Sequence, residues 1–408
     1  EMAGLQRFLE FYKEGWRVLR NPQLEAQHTI AYYFREQMKA MVLYTNSEER
    51  RLPYRSLWHT FTLIQFSIMF ITMCYGLTES LGDIVEMGRD LAFILGIFFI
   101  SFKIVYFHWY ADGLDKVIDD LEAHHHWLRE GPGYAEARKT RRWHCIMVVP
   151  LLTLWSFFMA LFIILVLSSP LWVAQQTLPI HAKYPFDLHN KSKHPRTHAL
   201  CYLSQVFLLP YTLVWLVCME GMSVAIYWEI TGAIKVLCIA LRHLSEKCQG
   251  NGELLRREVN RLIGFHQKIL SILDRTNEVF HGTLKMQVIV NFFLVSLSVF
   301  EALIARKDPK VAFQFGVLML LALGHLSLWS KFGDLMSQES LDIALAAYET
   351  YNPQLGSKIS RDLCIMIRRA QDPMQMVARP FPPFNLKNYT AILKQCYSIL
   401  TLLLNTLD

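Results

Sequence analysis

Three sets of residues in this chain have types and spacings suited to chemistry. Near the C-terminus, Lys387, Thr390, Lys394, Ser398, Thr401, Asn405 and Asp408 recur at intervals of 3, 4, 4, 3, 4 and 3. At about 100° per residue they share one arc of a helix, roughly 80° wide. A polar edge of that length cannot face lipid, so it either lines a water-filled pore or forms a helix-to-helix seam held by hydroxyls. Leu400, Leu403, Leu404 and Leu407 lie on another face, which reads as a hydrophobic gate that opens by rewetting or as ordinary packing. The second set is aromatic: Phe158 and Phe162, Tyr202 and Phe207, and Phe313 and Phe315, with Gln205 and Gln314 as polar points. Converging, they would form an apolar pocket for a small lipophilic ligand; dispersed, they are packing and an interfacial belt.

The third set is ionisable. Lys103 and Glu220 lie within apolar runs and either pair or snorkel to the nearer interface, with Lys103 expected to snorkel. The tract His124-His125-His126 reads as a solvated loop rather than a metal site, and His194 with His198 is a weak metal signal. His108 with Asp112, and His325, are the only hints of acyl-transfer chemistry. With no GxSxG, HExxH, phosphate loop or dinucleotide fingerprint, neither catalysis nor a cofactor is expected.

The elements that must position these residues are long and apolar. Hydrophobic residues make up 53% of the 408 and charged residues only 19%, too apolar for an ordinary soluble domain. Seven segments approach the roughly 20 residues needed to cross hydrocarbon: 57–77, 91–109, 146–167, 203–228, 284–305, 311–329 and 391–407. The expected fold is therefore all-α, a polytopic bundle of seven transmembrane helices. Residues 1–56 lack the pattern of a cleavable signal peptide.

Basic residues orient the bundle. Segments 1–56, 110–145, 229–283 and 330–390 hold 9, 6, 8 and 7 Lys plus Arg, against 1, 4 and 3 in 78–90, 168–202 and 306–310. This implies a cytosolic N-terminus and an extracellular C-terminus. The sequon at Asn190 then falls outside and suits glycosylation, whereas the one at Asn388 falls inside. The eight cysteines form no CxxC and read as free thiols.

Four regions follow. Residues 1–56 form amphipathic helices, the first at 5–19 suited to the inner interface and a second after Pro22. Residues 57–330 hold spans one to six, with an outer-half pocket and a lid loop at 168–202. In 331–386, helices near 334–351 and 357–371 present apolar faces (Leu341, Leu345, Tyr348; Ile359, Leu363, Met366, Ile367) that must pack on each other or on neighbouring subunits, a cytosolic anchor for oligomerisation. Residues 387–408 form the pore-lining span.

Residues 348–405 resemble the C-terminal signature of insect odorant receptors. A tyrosine-bearing helix precedes a basic helix that ends Arg369-Ala370-Gln371-Asp372-Pro373. Next come Leu386-x-x-Tyr389-x-x-Ile392-Leu393-Lys394 and the pair Tyr397-Ser398, preceded by Cys396 where the family often has serine. The stretch 178–187, ending Tyr184-Pro185-Phe186-Asp187, resembles the family's outer loop. The resemblance implies an odorant-binding tuning subunit. It would assemble with a shared co-receptor into a heterotetrameric, odorant-gated cation channel in the plasma membrane of olfactory sensory neurons, a multi-pass protein without nucleic-acid partners. The loop between spans four and five is shorter than the co-receptor's. On this resemblance the ligand would meet Phe158, Phe162, Tyr202, Val206, Phe313 and Leu318, and the gate would involve Tyr397, Leu400, Thr401 and Leu404. A gustatory-type channel of the same superfamily and, more remotely, a membrane acyltransferase are the alternatives.

Overall fold

The computed structural model describes residues 26–82, 84–172, 178–248, 251–304, 309–350 and 356–405, with Lys13, Arg17, Val18, Arg20 and Asn21 of the preceding arm. Most of the expected helix at 5–19 lies outside the described residues, as do Leu407, Asp408 and the side chains of Leu403, Leu404 and Asn405. Every long regular element described is helical: α1 Ile30–Ala40, α2 Pro53–Gly76, α3 Ile84–His124, α4 Tyr134–Trp172, α5 Pro195–Arg242, α6 Leu244–Cys248, α7 Gly252–Ile304, α8 Pro309–Glu349, α9 Ser357–Ala370 and α10 Leu386–Asn405.

Local chemistry starts these helices where the chain demands it. The Thr29 hydroxyl accepts from the Tyr32 backbone N–H at 3.2 Å and caps α1. Prolines open α2 and α5 at a position where a missing N–H costs nothing. Along α2, Leu57, Phe61, Ile64, Ile68, Ile71 and Tyr75 are exposed at spacings of 4, 3, 4, 3 and 4, while Phe66, Met69 and Met73 are buried. That is the two-sided pattern of a helix with lipid on one side and protein on the other.

Among the described residues six helices (α2, α3, α4, α5, α7 and α8) are long and apolar enough to cross a membrane. At 20 residues α10 is about 30 Å long, sufficient to cross, but its many polar residues make it less apolar than those six. The central helix is α5: its most apolar stretch is 83% buried, against 22% for α4 at the periphery. With 48 and 53 residues, α5 and α7 run about 70 and 80 Å and project well beyond a bilayer at the end opposite the 178–198 loop, as their sequence pattern predicts.

One element differs from the sequence reading. Span six and the first anchor helix are one uninterrupted rod, α8, because no proline or glycine pair interrupts the stretch near 330. The amphipathic helix expected after Pro22 is α1, and it packs into the fold. It buries Ala31, Phe34 and Met38, and Phe34 lies so close to Gly221 of α5 that a Cβ there would sit 2.6 Å from the ring. Arg35 Nη1 reaches Asp119 at 2.6 Å, and the Ile30 N–H donates to Glu229 at 3.1 Å, tying α1 to the projecting ends of α3 and α5.

Candidate functional site

The loop closes one end of the bundle through backbone contacts. The Gln205 amide clamps Ile180 from both sides: its Oε1 accepts from the Ile180 N–H at 2.9 Å and its Nε2 donates to the Ile180 carbonyl at 3.1 Å. The Lys183 N–H donates to the Thr72 carbonyl at 3.0 Å, and the Ser169 hydroxyl donates to the Pro179 carbonyl at 3.0 Å. Leu178, Ile180 and Ala182 are buried beneath. A polar point expected to face a ligand, Gln205, is thus the latch of the lid. His181 lies between Asp90 (2.7 Å) and Glu79 (3.6 Å), and Lys183 also reaches Glu79 at 2.6 Å. The hydrogen bond to Asp90 holds the His181 imidazole above its ordinary value against the opposing effect of burial. Asn190 is half-buried in a side-chain turn, its Oδ1 accepting from the Ser192 N–H at 3.0 Å and the Ser192 hydroxyl at 2.6 Å. His198 bonds the His189 carbonyl at 2.7 Å, a fastening of the lid rather than half of a metal site.

Below the lid, the expected pocket residues differ in burial. Phe162 is buried and stacks on Phe93 with centroids 6.2 Å apart. Phe158 and Leu318 pack half-buried against the core, and Tyr202 and Val206 are half-buried on α5. Phe313 is 57% exposed and points away from the interior, because it sits two residues, about 200° of helical turn, from the fully buried Phe315. The structure brings Phe315 inward and leaves Phe313 outside.

Mid-bundle lies a polar cluster whose members come from five helices. Lys103 of α3 is not snorkelling: it is buried and bonded to Glu220 of α5, with Gln287 Oε1 of α7 at 3.3 Å and the Phe99 ring at 4.4 Å. Glu220 also takes His325 Nε2 at 2.9 Å and the Trp329 indole N–H at 3.1 Å, both from α8. Trp155 of α4 stacks on His325 at 5.2 Å, and Asn291 of α7 contacts its other nitrogen at 3.2 Å. A carboxylate inside hydrocarbon must be paired or neutral, and here three donors converge on it. The imidazole once considered for acyl transfer is therefore a structural partner of Glu220. His108 and Asp112 are likewise engaged separately, by Thr45 at 2.6 Å and the Ser47 N–H at 2.8 Å. Sequence reasoning missed Gln287 and Asn291; the signal was two amides four residues apart in an apolar span.

The His124-His125-His126 tract is not a solvated loop. His125 faces Ala26 O at 3.2 Å and Glu229 at 3.9 Å, His126 bonds Gln27 O at 3.1 Å, and His124 stacks on Phe265 at 6.0 Å, so the tract docks the N-terminal arm. Among the described residues no group of His, Cys, Asp and Glu could hold a metal ion, and Cys218, Cys238, Cys248 and Cys396 are buried free thiols.

On α10, Cys396 and Ile392 pack into an apolar cluster with Val295 and Phe292 of α7 and Ala322 of α8. The opposite face carries the polar edge, and Lys387, Thr390, Lys394 and Ser398 are all exposed. Thr401 is half-exposed beside them, Tyr397 is 67% exposed, and Leu400 is half-buried toward the bundle. Before α10, the Phe384 carbonyl lies against Gly333 of α8 so closely that any Cβ at 333 would collide with it. Trp329 stands 6.3 Å from the Phe384 ring. The polar cluster and the root of α10 are thus joined through one tryptophan.

A bundle of apolar helices with a latched end and an internal ion cluster defines a multi-pass helical membrane protein. Residues 83–397 match the family model described as 7tm Odorant receptor. The "Putative odorant receptor 65c" of Drosophila melanogaster is 60% identical over 100% of this chain and 99% of its own length, and odorant receptor 65a of the same fly is 49% identical over 97% and 95%. The olfactory receptor OR5 of Machilis hrabei, solved in complex with eugenol, has the same fold, with a TM-score of 0.74 at 15% identity over 92% of this chain and 99% of that one. The chain belongs to the insect odorant receptor family, and with that fold α10 is its seventh span. Its relatives are receptors rather than enzymes, which sets aside the acyltransferase and gustatory alternatives.

Proposed function

We propose that this chain is the odorant-binding subunit of a ligand-gated cation channel, assembled as a heterotetramer with the odorant receptor co-receptor in the plasma membrane of olfactory sensory neurons. The observation that carries the reading is the orientation of α10. Its apolar side packs on α7 and α8, and the polar edge through Thr390, Lys394 and Ser398 is turned away from its own bundle, toward water or other subunits. One such helix per subunit around an axis lines a water-filled path. Tyr397, Leu400, Thr401 and Leu404 form its narrow part, with Thr401 between the polar and leucine faces.

The N-terminus lies in the cytosol and the lid outside, following the basic tally. Phe158, Phe162, Tyr202, Val206 and Leu318, with Phe93 and Phe315, enclose the ligand under the latch. Asn190, on the same side, carries a glycan. The projecting ends of α5, α7 and α8 with α9 form the cytosolic anchor, on which Leu341, Leu345 and Tyr348 remain exposed for neighbouring subunits.

Co-expression with the co-receptor and whole-cell recording over a panel of volatile odorants tests this. Odorant-evoked current is expected, and substitution of Leu400 or Thr401 changes permeation or basal opening. Silence across the panel despite delivery to the surface would refute the channel reading.

A further inference from the structure

A cavity of about 390 Å³ lies between α7, α8, α10 and the hairpin Phe381–Phe384, away from the aromatic interior under the lid. Its walls are mostly apolar, with Val288 and Phe292 of α7, Phe381 and Phe384 of the hairpin, and Ala391 and Ile392 of α10, and its polar members are Ser330, Asn388 and Gln395. At its rim Ile289 and Phe293 are 37% and 45% exposed, so the cavity opens sideways onto an apolar outer surface of the bundle. A mostly apolar space of this size falls within the range of small-ligand sites.

Charge identifies the occupant. Each helix that walls the cavity carries a lysine on its cytosolic side: Lys285 one turn from Ile289, Lys331 next to Ser330 at the wall, and Lys387 one turn before Ala391. None of the three is ion-paired among the described residues, and Lys331 and Lys387 are exposed. The nearby carboxylate, Asp334, is bonded by Gln338 at 2.8 Å. Three unpaired cations at the margin of a lateral apolar opening are the arrangement that binds a lipid phosphate on the cytoplasmic side.

We propose that this cavity binds an acyl chain of an anionic phospholipid of the inner leaflet, with Lys285, Lys331 and Lys387 holding the headgroup. The chain wedges between α10 and the α7–α8 pair, so its presence sets the tilt of α10. The side of the membrane rests on the orientation proposed above; the site itself requires no odorant and no current.

The test uses the full receptor complex purified and reconstituted in phosphatidylcholine vesicles containing a phosphatidylserine with a mid-chain diazirine. After illumination, peptide mass spectrometry is expected to place label on the segments bearing Phe292 and Ile392, several-fold above the lipid-facing stripe of α2 at Phe61 and Ile64. Ala391→Phe, which fills the cavity, lowers this label at least threefold and leaves the α2 label unchanged; Ile289→Trp at the rim serves if the first variant does not assemble. The triple substitution Lys285→Gln, Lys331→Gln, Lys387→Gln removes the preference for phosphatidylserine over phosphatidylcholine bearing the same diazirine. Equal label on α2 and the cavity, or label from a diazirine-bearing small alkane but not from either lipid, overturns the site. Equal label from the two lipids on the unmodified receptor overturns the anionic assignment.

Discussion

Glu220 illustrates how much depends on single side chains here. Its carboxylate accepts from Lys103, His325 and Trp329 in the buried interior, so removing its charge leaves Lys103 a buried cation without compensation. Breaking such a pair costs about 3–5 kcal/mol, whereas replacing both partners by apolar groups is often neutral. Glu220→Gln is therefore expected to lower the thermal midpoint of the solubilised receptor and its surface delivery, and Lys103→Met with Glu220→Met to recover much of both. Recovery absent in the double variant would show that the ions serve more than packing.

His181 makes the lid sensitive to acid. Protonated, it is held by Asp90 and Glu79, with Arg89 opposing and Lys183 competing for Glu79, and its pKa is raised. A raised pKa means the clamp is fully present below the ordinary histidine value of about 6.5 and is lost as pH rises through the raised value. The protection of 178–184 against hydrogen exchange, taken relative to the intrinsic base-catalysed rate at each pH, should therefore fall as pH increases from about 6 to about 8.5. In His181→Gln that pH dependence is expected to vanish.

Among the elements, α10 shows what could be read in advance and what could not. Its polar edge was legible because a 3-and-4 spacing needs no tertiary information, and its outward direction follows from the cluster around Cys396. The partition of Phe313 and Phe315 was not legible: both are apolar, two residues apart, and only the rotation of α8 decides which enters. Lys103 was misjudged for a related reason. Snorkelling is a property of one helix, while pairing depends on α5 and α8 arriving at the same depth. Gln205 was assigned to a ligand because a polar group in an aromatic region suggests recognition, but the loop's own unpaired backbone claimed it first.

Gly333 permits α8 to pass against the Phe384 carbonyl, so the hairpin that roots α10 is seated on a helix with no side chain at that point. Gly333→Ala must push the hairpin outward or distort α8, with an overpacking cost of about 1–3 kcal/mol. The expected outcome is altered basal current at preserved surface expression, read by whole-cell recording. Unchanged gating would mean the root of α10 tolerates displacement.

At the scale of the molecule, the helices divide their surfaces among three environments. The exposed stripe of α2 from Leu57 to Tyr75 faces lipid, the interior of α5 faces only protein, and Leu341, Leu345 and Tyr348 of α8 have no cover among the described residues. The other side of that same stretch packs Ile343, Ala346 and Ala347 against the fold with Leu363 and Met366 of α9, so the expectation that the two helices cover one another is met by only part of their apolar surface. Leu341→Asp with Leu345→Asp is expected to leave the single chain folded while reducing tetramer recovered on size-exclusion chromatography by severalfold. Undiminished assembly would place the subunit contacts elsewhere.

The absence of any break in α8 has a mechanical outcome. An intact 41-residue helix is about 60 Å of hydrogen-bonded rod, stiff against bending. Phe315 rides near one end, Trp329 and Gly333 near the middle, and Leu345 near the other. A pivot of about 3° at the upper end therefore swings the far tip by about 3 Å over that length. A molecule small enough to nudge one aromatic ring thereby acquires the leverage to be felt on the opposite side of the membrane.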